Sequence, residues 1–317
     1  MTLTELGFRK GINLGGWMSQ CDYSPEHLDT FITEPDFAQI AEWGFDHVRL
    51  PVDFNLFQKP DGTLIEDGFV RLDRAAELAE QNGLKLVLDL HKTQGFSFDN
   101  GENEVGFFDS PQYQELFYQL WEAFAKRYGD RPEQIVFELL NEVTDSGYIG
   151  EWNRISHICI RRIRQYAPKT LILVGSYNNN GAREVPALDP PDDERIVYNF
   201  HCYEPLEFTH QGAFWVDAFP QDRRIPFAES GTDTAYFERL FADAVAKAKK
   251  EHTALYCGEY GVIDLVPPKD ALEWFRAINT VFERHQIPRC VWSYKKMNFG
   301  IADPHTDSVR EELLKVL

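Results

Sequence analysis

The chain has 317 residues, 43% of them hydrophobic and 14% aromatic, with 51 acidic against 32 basic side chains and a formal net charge of −19. That length suits one large domain with a sizeable core, and the charge sets up a field that repels nucleic acid and anionic lipid while admitting a neutral partner. The five cysteines, Cys21, Cys159, Cys202, Cys257 and Cys290, include no CxxC pair that would hold zinc or a redox dithiol.

Eight short apolar or β-branched runs alternate with longer stretches of helical period, the pattern of parallel strands joined by crossover helices. The first expected strand is Ile12 to Trp17, followed by a helix near 36–43. Strand His47 to Pro51 precedes a helix near 70–82 that Asn82-Gly83 closes. Strand Lys85 to His91 leads to a helix at 111–128, opened by Ser110 as cap and Pro111 in its first turn. Strand Ile135 to Glu142 precedes a helix near 152–166, and strand Leu171 to Gly175 is followed by a Pro/Asp-rich loop, Ala187 to Glu194. Strands Ile196 to His201, Ala254 to Tyr260 and Arg289 to Tyr294 are followed by helices near 234–250, 269–286 and 308–316. Eight such units predict an α/β fold, a (β/α)₈ TIM barrel, and no linker or internal repeat divides residues 1–317, so a single domain is expected. A doubly wound sheet is disfavoured because the first strand runs into Gly15-Gly16-Trp17 with no phosphate-binding glycine signature. The start, Met-Thr-Leu-Thr-Glu-Leu-Gly, lacks the features of a secretory leader, and no apolar run nears the ~18 residues of a bilayer span. The expectation is a cytoplasmic chain without membrane contact, or a secreted one if a leader has been removed.

A barrel gathers its chemistry at the C-terminal ends of its strands. Read in order, those ends offer Trp17, Arg49, His91, Asn141 with Glu142, the Asn-rich stretch Tyr177 to Asn180, His201 with Tyr203, Glu259, and Trp292. Glu142 ends the fourth expected strand and Glu259 the seventh, so two carboxylates from different strands face each other over the mouth, as glycoside hydrolysis requires. A lone glutamate in such a place is more often a structural ion pair; the set gives the pair its meaning.

The set Gly15-Gly16-Trp17, His47-Val48-Arg49-Leu50-Pro51, Asp89-Leu90-His91, Leu140-Asn141-Glu142, Phe200-His201-Cys202-Tyr203, Gly258-Glu259-Tyr260-Gly261 and Val291-Trp292-Ser293-Tyr294 resembles glycoside hydrolase family 5 over nearly the whole chain. The resemblance implies a retaining β-glycosidase without cofactor or metal, with Glu142 as general acid/base and Glu259 as nucleophile. Arg49 and Tyr203 would aim Glu259 and favour its carboxylate form, burial and the Glu259 charge would raise the pKa of Glu142, and Asn141 would bind the sugar 2-hydroxyl. His91 and His201 would line the same subsite and Trp292 would form the platform under the sugar being cleaved. Trp17, Trp215 and Tyr260 are weaker candidates for neighbouring subsites, with His210 in the loop after the sixth strand; Lys92 and Lys295 read as charged rims, and Asp89 and Glu138 as residues that orient the machinery. The wording Asn-Leu-Gly-Gly-Trp and Phe-Glu-Leu-Leu-Asn-Glu-Val favours an endo-β-1,4-glucanase acting on glucan or cello-oligosaccharides, with a monomer as the expected state. The alternatives are an oligosaccharide-trimming β-glucosidase, a β-mannosidase or mannanase of the same family, and a non-catalytic sugar-binding barrel. The loops Gln94 to Asp109 and 204–232 would decide whether the cleft is open.

Overall fold

Side chains two apart on a strand point the same way, and that period sorts the inside of a barrel into layers. In the computed structural model, which describes residues 2–99 and 104–317, eight parallel strands close in chain order. They are β1 (Lys10–Asn13), β2 (His47–Asp53), β3 (Lys85–Lys92), β4 (Ile135–Glu138), β5 (Ile172–Gly175), β6 (Ile196–Cys202), β7 (Leu255–Tyr260) and β8 (Arg289–Val291). Near their N-terminal ends Val87, Val136, Leu173, Val197, Tyr256 and Cys290 form a small apolar cluster, which Leu3 and Phe8 of the leading segment plug from below. Two residues further along β3, β4 and β6 the character inverts: Asp89, Glu138 and Asn199, with Asn13 of β1 and Arg49 of β2, are polar and completely buried. The lower layer holds the barrel shut, and the upper one carries the chemistry.

The surrounding helices are α1 (Pro25–Thr30), α2 (Glu34–Glu42), α3 (Glu66–Gln81), α4 (Pro111–Tyr128), α5 (Ile149–Ile163), α6 (Leu206–Thr209), α7 (Thr234–Lys250), α8 (Pro268–His285) and α9 (Arg310–Val316). Their boundaries follow local chemistry. Ser110 accepts a hydrogen bond from the Tyr113 N–H at the start of α4, and Asp233 does the same for Tyr236 at the start of α7. Asn82 caps α3, with Gly83 in the left-handed region just beyond it. The short helices α1 and α6 have too few residues to show a period and were not expected. Between β5 and β6 no α-helix forms; a 3₁₀ segment, Ala182–Ala187, packs there against α7. Among the described residues no helix is long and apolar enough to cross a membrane.

Two strand ends differ from expectation in a way that matters for the site. The first strand stops at Asn13, since Gly16 takes a positive φ of 73° and turns the chain. The fourth stops at Glu138, and the next residues continue as extended backbone, with the Leu139 N–H donating to the Leu173 carbonyl and the Asn141 N–H to the Leu90 carbonyl. Glu142 therefore sits above the strand, with a left-handed φ of 38° that few non-glycine residues adopt.

Gly11 shows how tightly the inner face is filled. A Cβ there would lie 2.2 Å from His47 Nε2, and that ring is held by Asp46 at 2.6 Å and the Tyr256 hydroxyl at 2.8 Å. Gly11→Ala is expected to destabilise the barrel by about 2 kcal/mol, lowering the thermal midpoint by about 4 °C or more when followed by circular dichroism.

Candidate active site

Arg49 is the centre of the upper layer. Its Nε and Nη2 donate to the two oxygens of Glu138, both at 2.7 Å, in a two-pronged fork. Its Nη1 donates to Asn13 Oδ1 at 2.9 Å and to Glu259 Oε1 at 2.6 Å. Its Nη2 also donates to Asn141 Oδ1 at 2.9 Å and lies 3.0 Å from Asp89 Oδ2. One buried cation thus holds residues from the ends of β1, β3, β4 and β7. Burial pushes the Asp89 carboxyl up to about 7 against the pull of Arg49 and raises that of Glu138, again against Arg49.

Glu259 reaches this layer through a bulge. The pairing of β6 with β7 runs from Phe200 opposite Cys257 to His201 opposite Glu259, which leaves Gly258 as an extra residue. Gly258 and Glu259 consequently both face inward. A Cβ on Gly258 would lie 2.8 Å from Asn199 Oδ1, and the Gly258 N–H instead donates to that oxygen at 3.0 Å. Besides Arg49, Glu259 accepts from the Tyr203 hydroxyl, which donates to Oε2 at 2.9 Å. Burial, with the Glu259 charge, keeps the Tyr203 hydroxyl protonated and a donor at any ordinary pH.

Glu142 faces Glu259 from the other side. His201 Nδ1 lies 2.7 Å from Glu142 Oε1 and 3.7 Å from Glu259 Oε2, and Asn179 donates to Glu142 Oε2 at 3.2 Å. The reactive atoms of Glu142, His201 and Glu259 all lie within 4.8 Å of one another. They form the one such trio among the described residues, yet the 2.7 Å separation of His201 from Glu142 is a hydrogen-bond contact, shorter than the roughly 3.3 Å between two ligands of a tetrahedral zinc ion. The geometry is that of a proton-handling cluster. Burial raises the Glu142 carboxyl to about 7, opposed by the Asn179 hydrogen bond and the more distant Arg49 charge. Burial, rather than the Glu259 charge that the sequence reading invoked beside it, is the main cause. Burial also lowers His91 and His201 to about 4, so both imidazoles are neutral at pH 7.

The remaining candidates divide. His91 bonds Asp89 through Nδ1 at 2.5 Å and lies parallel to the Trp292 ring with centroids 6.0 Å apart. Trp292 rests on bare Gly15, where a Cβ would come within 2.7 Å of the indole. His210 sets its ring edge-on to Tyr203 at 5.0 Å and to Trp215 at 6.3 Å, and Trp215 is 38% exposed beside Phe214, which is 75% exposed. Trp17 corrects an expectation: its indole N–H donates to the Leu28 carbonyl at 2.9 Å and its edge meets Phe37, so it packs the loop after β1. Tyr260 is likewise core, bonded to Asn279, stacked on Trp274 and set edge-on to Phe282. Lys92 is no rim charge but a buried one, paired with Asp99 at 2.6 Å. Part of the Gln94 to Asp109 loop, residues 100–103, lies outside the described residues. Three participants escaped the sequence reading: Asn13 and Asn199, whose inward parity marks them once the strands are placed, and Asn179, in the Asn-rich stretch but given no role.

A model of the family described as Cellulase (glycosyl hydrolase family 5) matches residues 9–298. The chain is 60% identical over 287 residues to Cellodextrinase A of Ruminococcus flavefaciens, covering 90% of this chain and 85% of that protein. It is 36% identical to Endoglucanase C of Acetivibrio thermocellus in an alignment of 339 positions that covers 98% of each. Among solved structures, the cellulose synthase subunit Z (CcsZ) of Clostridioides difficile superposes with a TM-score of 0.84 at 29% identity, covering 98% of this chain and 99% of that one.

The raised Glu142 pKa has a stability consequence. A carboxyl whose folded pKa lies near 7, above the unfolded value of 4.5, costs the fold nothing below pH 4.5 and costs progressively more as pH rises to 7. Glu142→Gln is therefore expected to melt above the wild type at pH 8, by a few degrees for each kcal/mol removed. The two melting temperatures should converge at pH 4.5 in scanning calorimetry.

Proposed function

The chain belongs to glycosyl hydrolase family 5, and on that premise we propose that it cleaves β-1,4-linked glucan and cello-oligosaccharides by double displacement, with Glu259 as nucleophile and Glu142 as acid/base. The spacing of the two carboxylates carries this reading. Oxygens within 4.8 Å of each other suit the ~5–5.5 Å carboxyl separation of retaining enzymes and leave no room for the water that an inverting pair holds at roughly 6.5–9.5 Å. The substrate class rests on kinship with proteins named cellodextrinase and endoglucanase.

In the first step a Glu259 oxygen attacks the anomeric carbon while Glu142 gives its proton to the departing glycosidic oxygen, leaving a glycosyl ester on Glu259. In the second, Glu142, now a carboxylate, takes a proton from water, which attacks the same carbon and restores the β configuration. Arg49 and Tyr203 occupy one site on each Glu259 oxygen, which fixes the carboxylate and stabilises it as a leaving group in the second step. Asn141 spends its Oδ1 on Arg49, so its amide N–H group, buried and without a partner among the described residues, is the donor for the 2-hydroxyl of the sugar. Neutral His91 offers ring hydrogen bonds without adding positive charge near the anomeric centre. The Trp292 face supplies the apolar floor, with Trp215 and His210 toward the rim.

Because Glu142 must start protonated, kcat/KM on substrates with poor leaving groups is expected to fall as pH rises through about 7. Glu142→Ala should slow such substrates by about 10²–10⁴-fold and spare activated aryl cellobiosides in the first step; added azide should then release β-cellobiosyl azide. Glu259→Gly should hydrolyse neither, and with azide should give the α-azide from an activated β-donor. Products of opposite configuration, followed by proton NMR, would reverse the two roles. Product lengths from cellohexaose and soluble β-glucan test the substrate class, and turnover of mannan in preference to both would displace it.

A further inference from the structure

Asn178, Asn179 and Asn180 lie consecutively in the left-handed region, with φ of 51°, 57° and 53°. Asparagine tolerates that region better than other side chains, but three in a row form a built turn and not a chance outlier. We propose that this turn is the positioning device of the acid/base, Asn179 holding one oxygen of the Glu142 carboxyl while Asn180 orients the imidazole that holds the other. The proposal rests on the assignment of Glu142 as acid/base.

Asn179 grips the Glu142 segment twice. Its side chain donates to Glu142 Oε2 at 3.2 Å, and its backbone N–H donates to the Val143 carbonyl at 3.1 Å. Asn180 is completely buried, and its carbonyl accepts from the His201 N–H at 2.7 Å. Its amide lies 3.4 Å from His201 Nε2; an N–H pointing at that nitrogen requires it to be the bare one, which leaves the proton on Nδ1, aimed at Glu142 Oε1 2.7 Å away. Gly175 makes room for the device, since a Cβ there would fall 2.5 Å from Asn180 Oδ1.

Both donors favour the carboxylate, and burial favours the acid. The balance matters because the same group must be an acid in one step and a base in the next. Other charges and titratable groups face Glu142: His201 and Tyr203 from β6 and its loop, Glu259 from β7, Arg49 from β2, Asp89 from β3 and Asp99 from the loop after β3. Of these only His201 donates directly to the Glu142 carboxyl among the described residues, so Asn179 is the donor that can be removed without touching the catalytic cluster.

The test uses two variants of the full chain. Asn179→Ala removes the donor, and Asn179→Asp keeps the shape and places a second carboxylate beside Glu142. The Glu142 carboxyl is titrated by ¹³C NMR against a Glu142→Gln control, and kcat/KM is measured against pH on cellobiosides with poor and good leaving groups. Loss of one partly exposed hydrogen bond should raise the Glu142 pKa by about half a pH unit in Asn179→Ala, and by more in Asn179→Asp. The alkaline limb for poor leaving groups should move with it, and the release of the glycosyl ester should slow. A titration that stays within about 0.1 unit of wild type in both variants, with activity lost evenly across leaving groups, would make the turn a mere loop support and overturn the proposal. Should the titration shift while no β-glucoside is turned over even by wild type, the positioning role stands and the assignment of acid/base chemistry fails.

Discussion

A guanidinium with no exposure to solvent is the constraint on which the site is built. Taking the charge of Arg49 out of water costs several kcal/mol unless every N–H finds an acceptor, and here the acceptors are Asn13, Glu138, Asn141 and Glu259, with Asp89 in ion-pair contact. Because those residues belong to different strands, satisfying the arginine also fixes where the strand ends stand relative to one another. A lysine could not do this: its ammonium has three donors on a flexible stem and no planar fork to match Glu138. The cost of the buried charge and the precision of the site are two aspects of one network.

That network also explains how two like side chains take unlike roles. Glu259 is in direct contact with the cation and a hydroxyl that stays protonated; Glu142, in a buried setting, takes its hydrogen bonds among the described residues from neutral donors and is pushed toward the acid. The neutral histidines belong to the same logic. A protonated His201 against Glu142 would hold the carboxylate and forbid the acid form, whereas the neutral ring donates a hydrogen bond without adding charge.

The strands and most helices were legible because their periods, caps and glycine stops are local properties. Helix α4, with Ser110 and Pro111 at its start, is the plainest case. The paired glutamates were legible because strand ends in a barrel share one mouth. What escaped depended on parity and on partners remote in sequence. Trp17 reads as a candidate for a neighbouring subsite, since nothing local reveals that Leu28 offers its carbonyl to the indole. Asn179 looks like one of several loop asparagines until the chain path brings it to Glu142. The bulge at Gly258 had a signal, a glycine inside an otherwise apolar strand, but its effect on the direction of Glu259 needs the opposing register of β6 to be seen.

That bulge fixes a phase. Along β7 the inward residues are Tyr256 and Gly258, and regular alternation would send Glu259 outward among the helices, where Tyr260 now lies. The one-residue slip at Gly258 brings the nucleophile inside. Insertions in the loops around the mouth change the path of the chain far from the reacting atoms and are tolerated for the same reason that long loops are cheap in entropy. A further residue gained between Cys257 and Glu259 has no such latitude, for it would upset the phase that the one-residue bulge sets. Much of the rim is free to alter its length, while Gly258, whose added Cβ would meet Asn199, and Glu259 beside it keep both their place and their identity.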